Sequence, residues 1–63
     1  MGIKLVKCYQ FVREKTGMEG AKRLAIMTKI SPILAGTEVE TSATVEMFRL
    51  AVREITGQDL KLD

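Results

Sequence analysis

The chain has 63 residues, 46% apolar and 29% charged, a composition that builds a globular core and excludes a disordered polymer. That length makes a single domain, 1–63, with a formal net charge of +2 that by itself demands no polyanion partner. No apolar run approaches the roughly 18 residues of a membrane span, and Met1–Lys7 lacks the apolar core of a secretory signal.

Residues 3–16 read as a first helix. Leu5, Cys8, Tyr9, Val12 and Thr16 recur at spacings of three and four, and Gly17 supplies a stop by adopting the left-handed conformation. The alternation across Ile3–Cys8 leaves a short strand open as the other reading. Residues 18–30 read as a second helix. Ala21, Leu24, Ala25, Ile26, Met27 and Ile30 spread around most of its circumference, which predicts neighbours on two sides and a place at the centre of the core.

Ser31-Pro32 ends that helix, because the residue before proline avoids the helical region. The same pair also suits a brief helical turn through Ile33-Leu34-Ala35, with serine as N-cap and proline first. Residues 31–42 are otherwise read as a loop. The third helix, 43–56, has Thr41 or Ser42 as cap, Glu46 in its first turn and Gly57 as stop. Val45, Phe48, Val52 and Ile55 step by 3, 4 and 3 into a coiled-coil-like seam, widened by Met47, Leu50 and Ala51. In the tail, Leu60 and Leu62 are placed to tuck one apolar side chain back onto the bundle. The fold class is therefore all-α, a small three-helix domain or half of a dimeric bundle. An echo at offset 40, Val12-Arg13-Glu14-Lys15-Thr16-Gly17 against Val52-Arg53-Glu54-Ile55-Thr56-Gly57, reads as two helices sharing one kind of C-terminal stop.

Catalytic constellations are excluded most firmly. The chain has no histidine, and its two aspartates both fall in the last five residues. Glu14, Glu19, Glu38 and Glu40 read as solvated acids. The lone thiol, Cys8, falls on the apolar face of the first helix and reads as core. One cysteine rules out an internal disulfide and a cysteine–histidine zinc site, so no metal or cofactor is expected and the compartment is a reducing one, the cytoplasm. No glycine loop suited to phosphate is present, and no small-molecule substrate is expected.

Charge is unevenly distributed. Residues 1–32 hold seven bases and two acids, a net of +5, and residues 33–63 hold three bases and six acids, a net of −3. The segment Gly20–Ser31 resembles the first helix and turn of a phage-repressor helix-turn-helix, with Ala21, Leu24, Ala25 and Ile26 suited to a close helix crossing. The resemblance covers about a dozen residues. It implies DNA contact through Lys22, Arg23 and Lys29, directed at phosphates and sensitive to salt. The pattern departs where a recognition helix belongs, since Pro32 and Gly36 interrupt it and no arginine, lysine, asparagine or glutamine occurs from Pro32 until Arg49.

The functional expectation is a non-catalytic interaction protein, a homodimer or the binder of a protein partner. A chain this short buries only about 60% of its unfolded surface. Its helices carry more apolar surface than one neighbour covers. The expected contact residues are Phe11, which lies opposite the Leu5/Val12 face, Met27 and Ile30 of the second helix, and the seam Val45, Phe48, Val52 and Ile55. The alternative is a small nucleic-acid-binding regulator using Lys22, Arg23 and Lys29.

Overall fold

The computed structural model describes residues 3–62. It contains α1 (Ile3–Thr28), α2 (Pro32–Ala35) and α3 (Ser42–Thr56), and no strand among the described residues. The fold is all-α, and Ile3–Cys8 is helix throughout. α1 is broken at Gly17 into an N-terminal and a C-terminal arm, so the two helices expected at 3–16 and 18–30 are both present without a loop between them.

The break has a backbone cause. Gly17 sits at φ 73°, ψ −158°, a region essentially reserved for glycine, rather than in the left-handed helical conformation anticipated. That geometry turns the chain in one residue. Unbroken, a helix of 26 residues would be about 39 Å long, whereas the longest extent of the molecule is 25 Å. Gly20 then lets the arms pack closely. A Cβ there would lie 1.6 Å from Thr16 Oγ1 and 2.8 Å from Val12 Cγ1.

The ends of the helices follow local chemistry. α1 has no acid in its first turn; instead the Glu40 carboxylate, distant in sequence, accepts the Lys4 backbone N–H. Helix N-termini favour negative charge and carry unsatisfied N–H groups, so the 36–41 connection caps the helix from outside. α1 stops at Thr28, two residues short of expectation. Lys29 adopts φ 60°, and Thr28 Oγ1 donates to the Leu24 carbonyl at 2.7 Å while accepting from Ile30 N at 3.3 Å. Thr56 repeats this arrangement with the Val52 carbonyl (2.8 Å) and Gln58 N (3.2 Å), followed by Gly57 at φ 75°, ψ 5°. Thr16 makes the same back-bond to Val12 at 2.9 Å. The sequence echo is thus a shared way of ending a helix turn. Ser31 caps α2 by accepting from Leu34 N (3.2 Å), and Thr41 caps α3 by accepting from Thr44 N (3.1 Å).

The core joins Leu5, Cys8, Tyr9 and Val12 of the N-terminal arm to Ala21 and Leu24 of the other arm, Ala35 of α2, and Phe48, Ala51 and Val52 of α3. Tyr9 and Phe48 meet edge to face, with ring centroids 5.9 Å apart, and the Tyr9 hydroxyl donates to the Ile30 carbonyl. Leu62 joins this core and Leu60 is partly buried against it, so both tail leucines return to the bundle where one was expected. Two expectations are corrected. The second helix is not the centre of the core: it buries one stripe, Gly20, Ala21, Leu24 and Thr28, while Ile26 is 75% exposed. Nor is the total surface excessive. It measures 4286 Å2, close to the roughly 4,000 Å2 usual for a 7.0 kDa monomer. Large apolar side chains do stand on that surface, Ile26, Ile33 and Val39 among them.

Candidate interaction surface

The structure redistributes the seven residues expected at an interface. Phe48 and Val52 are completely buried, so the seam of α3 faces inward and offers nothing to a second chain. Ile30, Val45 and Ile55 are partly buried and packed against the same core. Phe11 is also half-buried and packed on the core rather than turned away from it, with Lys15 Nζ 5.5 Å from its ring centroid. Only Met27 is exposed, at 42%. The reason is geometric. A 3-4-3 apolar seam is the signature of any buried helix stripe, and one domain wrapped around Phe48 uses it up.

Three of the exposed large apolar side chains line a shallow groove of about 700 Å3 between the C-terminal arm of α1 and α3, while Ile3, Met18, Ile26, Ile33, Leu34 and Val39 are exposed elsewhere. Met27 forms one wall; Ala43, Met47, Leu50 and Ala51 form the other, with Glu46 and Glu54 at the rim. Leu50 is 51% exposed and Met47 is also exposed. Leu50 lies two residues from both Phe48 and Val52, which on a helix turns it away from the face they share. Ala43, Met47, Leu50 and Glu54 step by 4, 3 and 4, so they share one outward face. Sequence reasoning assigned Met47, Leu50 and Ala51 to the widened seam. Their second stripe was the available signal for a second face.

The outward side of the C-terminal arm of α1 is different in character. Lys22, Arg23 and Ile26 are all exposed there, with Lys29 at the end of the arm and Glu19 one turn earlier. Within the described residues, none of these charges takes part in an ion pair, and neither does Glu54. The pairs that do form lie on the flank of α3 that carries Arg49 and Arg53. Arg49 binds Glu46 through two hydrogen bonds of 3.1 and 2.6 Å, and Asp59 lies 3.6 Å from Arg49 and 3.8 Å from Arg53. The Arg49 contact holds the Glu46 carboxyl below its ordinary pKa. The expected DNA-contacting trio is therefore on the surface, but the segment after it is not a recognition helix. α2 has only four residues, Pro-Ile-Leu-Ala, with no side chain that reads base edges.

Other candidate chemistry is accounted for. Cys8 is free and fully buried, and burial with the nearby Glu40 charge pushes its thiol up to about 11. Burial also raises the Tyr9 hydroxyl. Lys4, Lys7 and Lys61 border a small cleft that Glu40 occupies from one side. Among the described residues, no three histidine, cysteine or acidic side chains gather as a metal site, and no buried side-chain polar atom lacks a partner. No helix among them is long and apolar enough to cross a membrane. No protein-family model matches the chain, and neither the curated proteins nor the solved structures yield a match.

Proposed function

We propose that this chain is a non-catalytic interaction module whose working surface is the groove between the C-terminal arm of α1 and α3. The observation that carries this reading is that Met27 on one side and Met47 and Leu50 on the other line one groove together with Ala43 and Ala51. Small residues let another backbone approach, while methionine adapts its shape to what it meets. A rim of glutamates keeps such a surface soluble when empty. The reading sets the protein in a reducing compartment, the cytoplasm, on the strength of its single buried thiol.

The test is a photo-crosslinking residue placed at Leu50, with the equally solvent-facing Gln10 as control. Polypeptide adducts formed in cells from position 50 and not from position 10 are the expected result. No adduct at position 50, or equal labelling at both, overturns the proposal. A second reading, sequence-independent contact with nucleic-acid phosphates, is favoured only by the exposed trio Lys22, Arg23 and Lys29. It predicts binding to random duplex DNA at low salt that falls steeply as salt rises. The absence of binding at low salt removes it.

A further inference from the structure

We infer that Gly17 is the hinge of an exchange between copies. The chain has a second folded form, a dimer in which α1 is one straight helix and the N-terminal arm of each copy packs on α3 of the other. The inference does not rest on the groove; it rests on how the two arms of α1 are joined.

The joint is a single residue. Helix runs to Thr16 and resumes at Met18, so only Gly17 departs from helical dihedrals. Residues 13–19 are all exposed, so straightening the joint uncovers no buried side chain there. Two of its features serve the bend alone. Gly17 takes dihedrals that L-residues avoid. Gly20 lacks a Cβ, which would lie 2.8 Å from Thr16 Cβ, whereas residues four apart on a regular helix keep their Cβ atoms about 5–6 Å apart. A straight α1 needs neither glycine. It also sets Lys15 and Glu19 four apart on one continuous face, where unlike charges attract.

A straightened chain has no stable monomer. Leu5 and Leu24 share one core in the bent form. On a straight helix they stand about 28 Å apart along the axis, more than the 25 Å longest extent of the molecule. Leu5, Cys8, Tyr9 and Val12 are then bared, and so are Phe48 and Val52 of α3. The surface that fits the displaced arm is the one it left, and a second straightened copy presents the same surface. Exchange about a two-fold axis rebuilds the same core between chains, with Tyr9 against Phe48 and Glu40 capping the Lys4 N–H. The two forms differ only at the joint and in the entropy of joining two chains, so concentration decides between them.

The test refolds the full chain from urea at near-millimolar concentration, dilutes it in the cold and resolves the products by sedimentation velocity. Wild type should yield a dimer fraction that reverts to monomer only at the rate of unfolding. Gly17→Ala should raise the dimerisation constant at least about 30-fold, because strain worth about fivefold is relieved in each of two chains. Gly20→Ala should raise it as well. D-alanine at position 17, which suits the bend and not the helix, should lower it below wild type. At the micromolar concentrations of an unfolding measurement the bent monomer stays the folded form, so Gly17→Ala still loses stability there. A dimer of isotope-labelled and unlabelled chains should show magnetisation transfer between Tyr9 of one chain and Phe48 of the other. Circular dichroism checks folding, and wild type and Gly20→Ala decide the matter if Gly17→Ala does not fold. Wild type that is wholly monomeric after this refolding overturns the inference. So does a dimer fraction no higher than that of wild type in every folded alanine variant, and so does a Tyr9–Phe48 contact confined to one chain.

Discussion

The conformation of Gly17 makes a prediction whose sign depends on chirality. At φ 73°, ψ −158° an L-residue pays roughly 1–3 kcal/mol of backbone strain. A Cβ at this position would meet no atom within 4 Å, so packing adds nothing to that figure and cannot offset it. The better helix propensity of alanine gives no relief either, because the residue is not helical here. Gly17→Ala should therefore destabilise by about 1–3 kcal/mol, a large share of the roughly 3–9 kcal/mol that a domain of this length possesses. The mirror image of the Gly17 dihedrals, near −73° and 158°, is the polyproline II conformation that L-alanine adopts freely. D-alanine consequently fits position 17 without strain and also narrows the unfolded ensemble, a gain of about 0.4–1 kcal/mol. A chain of 63 residues is within reach of chemical synthesis, so both versions can be made. Urea and thermal unfolding followed by circular dichroism should show Tm lowered by at least about 4 °C for L-alanine and raised by a few degrees for D-alanine. Equal stability of the two, or a gain with L-alanine through fusion of the arms into one long helix, refutes the backbone account of the break.

Further outcomes follow from other features of the fold. Phe48→Ala should cost about 3–5 kcal/mol and leave the chain largely unfolded, whereas Leu50→Ala should change stability by less than about 0.5 kcal/mol in denaturant titrations, since the first is enclosed and the second faces the groove. Lys29→Gly should stabilise by about 1 kcal/mol by relieving the positive φ of 60°, and a loss of stability would show that the Lys29 side chain contributes more than its backbone strain removes. Glu40→Ala should destabilise by about 1 kcal/mol through the lost cap on α1, with amide exchange quickening in the first turn before anywhere else. The Cys8 thiol should react with a disulfide reagent only at the rate of unfolding. Because its pKa is about 11 when folded and near 9 when unfolded, the unfolded chain loses its proton first, so stability should fall as pH rises through that window, and Cys8→Ala should remove that part of the fall.

Much of this molecule is determined by residues close in the chain. Thr-Gly at 16–17 and 56–57, Ser31-Pro32 and Thr41 act through atoms within about four positions of themselves, which is why the break at Gly17, the turn at α2 and the limits of α3 are legible to within a residue or so from the order of the amino acids alone, as the burial of Cys8 is from its place in the three-four spacing. The tertiary structure decides what local spacing leaves degenerate. The C-terminal arm of α1 carries apolar residues on most sides between its charges, and packing in the tertiary structure selects Ala21 and Leu24 for the interior and leaves Ile26 and Met27 outside. The α3 helix carries two apolar stripes, and folding around Phe48 turns the 3-4-3 stripe inward and the Met47/Leu50 stripe outward. The capping of α1 by Glu40 joins residues 36 apart, a distance no periodicity encodes. Short-range hydrogen bonds set where most of the helices end; competition among apolar faces for one small interior sets which face stays exposed.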